Sequence, residues 1–137
     1  MSGTRTLTLA IMDAPYESAS STTALRIVDA ALRRGHAVNV FAYEGAVNLT
    51  MKAQQPHANP VKGTSIEQEQ HPNPKDWVAA LFELARQQDV KLDWVNCGLC
   101  VDERGAGDWI EGPRRGGPKD FLEMSRASHV TIVIPTK

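Results

Sequence analysis

Cysteine is scarce in this sequence: 137 residues hold two, Cys97 and Cys100. That excludes a disulfide-dense scaffold, and a chain this long buries a core without staples or structural metal. An excess of one charge is also missing. A formal net charge of -1 argues against a general binder of nucleic acid or other polyanions, which carries a basic surplus. No apolar run approaches the roughly eighteen residues of a membrane span. The opening residues, MSGTRTLTLAIM, alternate where a signal peptide would be continuously apolar. The expected compartment is therefore the cytoplasm, with no membrane partner. In that reducing setting a pair of cysteines three apart points to redox, sulfur or metal chemistry.

Two further absences narrow the choice. A C-x-x-C knuckle supplies two zinc ligands, and a structural zinc site needs two more. His36, His57, His71 and His129 are scattered without ligand spacing, so no metal is expected. The glycines between 105 and 117 do not match a P-loop, and Gly105-x-Gly107 lacks the strand that a dinucleotide fingerprint follows. No cofactor is expected.

What is present is a regular alternation of strand and helix signals. Residues 5–12 put Leu7, Leu9 and Ile11 on one face, the period of a strand. Ser18, Ser20, Ser21 and Thr22 offer caps for a helix to about Arg34, with Leu25, Val28, Ala31 and Leu32 on its apolar stripe and Gly35 just past its end. This Ser/Thr run also resembles a phosphate-binding loop, although capping is the simpler use. Ala37–Tyr43 reads as a second strand. Residues 45–74 lose periodicity and contain Pro56, Pro60, Pro72 and Pro74. A loop this long is functional, mobile or used in assembly. A helix follows over Lys75–Gln88, with Trp77, Leu81, Leu84 and Ala85 inward, and then a third strand over Val90–Val95. A short helix to Arg104, a glycine-rich loop over 105–118, a helix over Lys119–Ala127 and a final strand over His129–Ile134 complete the chain. That last strand is nearly all apolar, as expected of one covered on both faces. Arg114-Arg115 in the glycine-rich loop reads as a solvated basic turn or a phosphate contact. The pattern predicts a single α/β domain over residues 1–137: three layers, a mainly parallel sheet flanked by helices, with flavodoxin-like topology.

In such a sheet, ligands gather beyond the carboxyl ends of the strands. Cys97 follows the third strand at that edge, by the first turn of a helix whose dipole favours thiolate over thiol. Cys100 shares a helical face with it and can resolve or carry a second sulfur. Asp102 and Glu103 oppose activation, since like charge raises a thiol pKa. Arg104 can offset them. Two buried, inert cysteines are the plain alternative. A thioredoxin fold is not expected, because the pair comes after the third strand and its helix is short.

Four stretches together resemble the DsrE/TusD (DsrE-like) family of sulfur-relay proteins. They are Ala14-Pro15-Tyr16 with the Ser/Thr-rich helix start, Ala31-Leu32-Arg33-Arg34-Gly35-His36, Phe41-Ala42-Tyr43-Glu44-Gly45-Ala46-Val47-Asn48, and a cysteine followed by Arg104-Gly105. The resemblance implies that a cysteine at the sheet edge accepts sulfur as a persulfide. By its distance from Arg104-Gly105, Cys97 matches that position better than Cys100. It further implies a sulfurtransferase or sulfur carrier working with donor and acceptor proteins, TusA-like or similar, in a homo- or hetero-oligomer, a trimer or hexamer. The 48–74 loop and Trp109-Ile110 are then expected at subunit contacts. The second cysteine is similar to the DsrE-like branches of sulfur oxidation. A non-catalytic subunit of such a complex and a dithiol–disulfide redox protein using Cys97 and Cys100 are the alternatives.

Overall fold

The computed structural model describes residues 3–70 and 72–136, so His71 of the long loop lies outside the described residues. Five strands form one sheet: β1 (Thr6–Ile11), β2 (Ala37–Ala42), β3 (Leu92–Cys97), β4 (Arg114–Gly116) and β5 (Val130–Ile134). Their order is β4-β3-β2-β1-β5, and every neighbouring pair runs parallel. In β1 the pleat sends Leu9 and Ile11 into one core cluster, while Thr8 faces the other way and donates to the Met124 carbonyl at 3.2 Å. Val38, Val40, Leu92 and Trp94 continue the first face, and Phe41, Val95 and Cys97 the second.

Helices α1 (Ser20–Arg33) and α3 (Pro74–Gln87) bury Leu25, Val28, Leu32, Val78, Leu81 and Ala85 against the first face. On the second lie α4 (Gly98–Arg104) and α5 (Pro118–Ala127), contributing Val101 and Met124. This is the three-layer α/β arrangement expected, with the sheet parallel throughout. The strand order reverses between β1 and β5, which makes the loops beyond that pair the topological switch point of the sheet.

Four details differ from the sequence reading. First, the stretch expected as loop, 105–118, contains β4. Three residues, Arg-Arg-Gly, carry no apolar alternation, so nothing in their pattern signals a strand. Arg114 fixes the strand instead, with its guanidinium on Asp93 at 2.9 Å and on Asp120 at 3.1 Å.

Second, β3 begins and ends two residues later than expected: its ladder with β2 starts at Val38–Leu92 and its ladder with β4 runs to Cys97–Gly116. Third, the long loop opens with a 3-10 helix, Glu44–Thr50, that buries Ala46, Val47, Leu49 and Thr50. A short α2 (Ile66–Glu69) comes next, opened by a reciprocal capping box between Ser65 and Gln68. Fourth, β5 is an edge strand. Among the described residues it pairs with β1 alone, and Thr131 and Val133 on one face are exposed while Ile132 and Ile134 on the other pack inward. Its apolar run reflects one packed face and one open one. No helix of the described residues is long and apolar enough to cross a membrane.

Candidate functional site

The carboxyl ends of β2 and β3 lie side by side, and each delivers part of one site. Cys97 is the last residue of β3 and also the N-cap of α4, with extended backbone that turns the chain into the helix. Its side chain is buried among Phe41, Val47, Val95, Val101, Ala106 and Met124. Cys100, one helical turn on, is half-buried against the same cluster. Both thiols are free, and they lie three residues apart across the junction of β3 and α4.

From the end of β2 comes a residue the sequence reading did not assign. Glu44 has a left-handed backbone, φ 52°, a conformation that non-glycine residues hold only when their surroundings enforce it. It directs the Glu44 N–H onto Cys100 Sγ at 3.1 Å. Arg104 completes the strap, donating to the Glu44 carboxylate at 3.2 Å and to the Cys100 carbonyl at 3.5 Å. Behind it, Tyr43 stacks on Phe41 with ring centroids 5.4 Å apart. Tyr43's hydroxyl is shifted upward by burial first, then by Glu44 and Cys100.

The electrostatics differ from the expectation that Asp102 and Glu103 set the thiols. Burial pushes the Cys100 thiol up. The Glu44 N–H bond opposes this, while Cys97 and the Glu44 carboxylate add to it. The carboxylate acting on Cys100 is thus Glu44, brought in from 56 residues away. Asp102 is held by Arg115 through two bonds, 3.0 and 2.7 Å, which keep its carboxyl below the usual carboxylate range. Arg104 offsets Glu44 rather than its chain neighbours. Cys100 therefore favours the thiol form around neutral pH.

A cleft of about 440 Å³ opens at the switch point, lined by Asp13, Glu17, Ser18, Glu44, Arg104 and Thr136 among others. It shares Glu44 and Arg104 with the cysteine site. Gly45 forms its floor so closely that a Cβ there would lie 2.8 Å from the Ala14 Cβ and 2.9 Å from the Ala14 nitrogen. Backbone cannot give way as a flexible side chain does. Gly45→Ala is expected to cost about 1–3 kcal/mol through overpacking, seen as a lower urea midpoint at unchanged slope.

The other residues raised from sequence have structural employment. Ser18 Oγ bonds the Asp13 carboxylate and accepts from the Ser20 N–H at 3.1 Å, so the Ser/Thr run organises the start of α1, although Ala19 occupies the N-cap itself. His36 and His129 each accept a backbone N–H through Nδ1, from Arg5 at 3.2 Å and Thr6 at 3.0 Å. His57 bonds the neighbouring Ala58 carbonyl. Arg114 and Arg115 are both engaged with carboxylates. Trp109 and Ile110 are half-buried in their own chain, where Trp109 donates to the Pro113 carbonyl at 3.0 Å and the Ile110 N–H to the Thr50 carbonyl at 3.0 Å. Among the described residues, no three His, Cys, Asp or Glu side chains form a group able to hold a metal ion.

No curated protein matches the chain. Among solved structures, the crystal structure of the YchN protein from E. coli is similar, with a TM-score of 0.65 and 20% sequence identity over 96% of this chain and 99% of that one. At that identity the likeness establishes the fold alone. The model of the DsrE/DsrF-like family matches residues 6–134, from the first strand to the last. The chain belongs to the DsrE/DsrF-like family, a family of sulfur-relay complexes.

Proposed function

We propose that this chain is a cytoplasmic sulfur carrier, in which Cys97 accepts sulfane sulfur as a persulfide and passes it to a cysteine of a partner protein. The observation that carries this reading is the unequal pair at the sheet edge. Cys97 ends β3 at the sheet edge and caps α4, while Cys100, biased towards thiol by burial, lies one helical turn on. A thiolate is the attacking species in such exchange.

In the loading step the Cys97 thiolate attacks the outer sulfur of a donor persulfide, R–S–SH. A sulfur–sulfur bond forms at Cys97 as the donor's breaks, giving Cys97–S–SH, and R–S⁻ leaves with the electron pair. Delivery is the same reaction with an acceptor thiolate as nucleophile. Burial of Cys97 shields the persulfide from water and oxidants between the two steps. Donor and acceptor are proteins of the sulfur-relay kind, TusA-like or similar, and the working form is a homo- or hetero-oligomer, a trimer or hexamer.

Incubation of the intact chain with polysulfide, followed by intact-mass measurement, tests this. The expected result is an added mass of about 32 Da, one sulfur atom, removed by reductant. A chain that gains no sulfur is not a carrier. The proximity of the two thiols also suits a dithiol–disulfide redox protein. That reading is favoured if the only product is a reversible Cys97–Cys100 disulfide, about 2 Da lighter than the reduced chain.

A further inference from the structure

We propose that the arm formed by residues 55–70 docks on a second copy of this chain, where Val61 at its tip enters the apolar hollow between the starts of α1 and α3. This rests on the reading of the working form as an oligomer and is independent of the thiol chemistry. The arm, its root, the hollow and the charges on both surfaces carry the argument.

The arm is ordered by its own bonds and does not pack on the body. Of residues 55–70, Asn59, Thr64 and Glu69 alone are partly covered, and they bond one another. Asn59 and Thr64 exchange backbone bonds at 3.0 and 3.1 Å, and Thr64 Oγ1 donates to the Glu69 carboxylate. Between them, Asn59 Oδ1 accepts the N–H groups of Val61 and Lys62, each at 3.1 Å, which makes the tip an Asx turn. Val61 is thereby held out with 94% of its surface exposed. Fixing an apolar tip in water costs entropy that no contact within the chain returns. The root of the arm is pinned as well. Gln54 Nε2 donates to the Asn48 and Leu49 carbonyls at 2.9 and 3.0 Å, and its Oε1 accepts the Lys75 N–H at 2.9 Å. Lys75 Nζ adds a bond to the Lys52 carbonyl at 2.8 Å. These bonds set the direction in which the arm leaves the body, so its tip is offered to another molecule.

A surface that fits the tip lies on the same chain. Two adjoining hollows, of about 340 and 360 Å³, share Pro72 and Trp77. Leu25 of α1 and Leu49 of the 3-10 helix line the first, and Ala80 of α3 lines the second. At the rim stands Tyr16, 73% exposed on a left-handed backbone of φ 68°. A bulky residue keeps that conformation only where its surroundings impose it. An exposed aromatic beside an apolar hollow is the kind of anchor found at the centre of interfaces. Charge identifies the second copy as the occupant. Lys62 follows Val61 at the tip, and Asp76 lines the hollow beside Trp77. Neither has an ion-pair partner among the described residues. With Val61 against Trp77 and Ala80, the Lys62 ammonium of one copy meets the Asp76 carboxylate of the next. Such a contact is directional, tip to hollow.

The test is sedimentation velocity on the full chain over a range of concentrations, beside Val61→Asp and Ala80→Arg. Both positions are exposed, so the variants should keep the fold, which far-UV circular dichroism checks. Wild type is expected to self-associate. Each variant should weaken that association by about tenfold or more, because it puts a charge into an apolar contact. The equimolar mixture of the two variants is the decisive sample. It retains one intact pair, the tip of the Ala80→Arg chain and the hollow of the Val61→Asp chain. It should therefore form a dimer at a concentration where neither variant does so alone. A wild type that stays monomeric would overturn the proposal and leave the hollow to another protein. Association that Val61→Asp leaves unchanged, or a mixture that forms no dimer, would overturn it too. Polysulfide loading of the same samples keeps the carrier reading separate. Association through the tip without sulfur uptake overturns the carrier alone, and uptake by a chain whose association ignores Val61 overturns the docking alone.

Discussion

Cys97→Ala is expected to abolish sulfur loading, with the mass increase of about 32 Da falling below detection, while Cys100→Ser keeps it. The two variants separate the roles because the two sulfurs occupy different surroundings. Cys97 ends β3 inside the second core cluster, and in the proposed mechanism its removal deletes the nucleophile. Cys97→Ala leaves a small void, costing about 1–2 kcal/mol, so the variant should still fold and its lost loading reports chemistry. In that mechanism Cys100 acts only after loading. Once Cys97 carries a persulfide, the Cys100 thiolate can attack the inner sulfur, forming the Cys97–Cys100 disulfide and expelling HS⁻. Burial pushes the Cys100 thiol up, and Cys97 and the Glu44 carboxylate support that direction against the Glu44 N–H. Its thiolate fraction is therefore small near neutrality and grows as pH rises. The loaded wild type should accordingly persist at neutral pH and release sulfide increasingly above the ordinary thiol range. Cys100→Ser should hold its persulfide across the same range. Intact mass over time, with a sulfide assay in parallel, reads both. If Cys97→Ala loads as wild type does and Cys100→Ser does not, the roles are reversed.

The legibility of this fold in its residues depends on which interactions are local. The β1, α1, β2, α3 and β3 segments declare themselves because burial imposes a period on sequence, and Leu9, Val28, Val40 and Leu81 all sit where that period puts them. The place of Cys97 is legible for the same reason, since a strand followed by a helix fixes the sheet edge. The misses share a cause. Strand β4 is held by backbone ladder bonds and by Arg114 reaching Asp93 and Asp120, none of which leaves an apolar pattern. The 3-10 helix buries Ala46, Val47, Leu49 and Thr50, a spacing that matches neither a helix stripe nor a strand, and a proline-containing stretch follows it. In β5, four apolar residues out of five suggest a strand covered on both faces, whereas the strand ends the sheet. Glu44 is the most instructive. Its part depends on a left-handed backbone that aims one N–H across the gap between β2 and β3. The only signal is its position: an acidic residue directly before Gly45, just beyond the end of β2 and so beside the helix that succeeds β3.

Trp94→Ala should be the most destabilising single change near the site, by about 3–5 kcal/mol, a large share of the roughly 5–15 kcal/mol typical of a whole domain. Trp94 is fully buried at the centre of β3 in the first core cluster. Its indole N–H donates to Asn96 Oδ1 at 3.2 Å, and Asn96 Nδ2 donates to Thr50 Oγ1 at 3.0 Å. These three buried side chains tie the strand that ends in Cys97 to the 3-10 helix that begins at Glu44. The chain of bonds is therefore both a packing element and the spacer between the thiols and their strap. Two milder variants divide those contributions. Trp94→Phe keeps most of the apolar volume but leaves Asn96 Oδ1 without its donor, which is expected to cost about 1–3 kcal/mol beyond the smaller ring. Asn96→Ala strands both the Trp94 N–H and Thr50, and should cost at least as much. Urea unfolding followed by far-UV circular dichroism measures all three. If Trp94→Phe costs less than about 0.5 kcal/mol, the unpaired oxygen has found water, and the bonds from Trp94 to Thr50 do not hold the two halves of the site in register. If the cost is as expected, Trp94→Phe should also loosen the Glu44 N–H from Cys100, and sulfide release from the loaded variant should show a changed pH profile even where the chain remains folded.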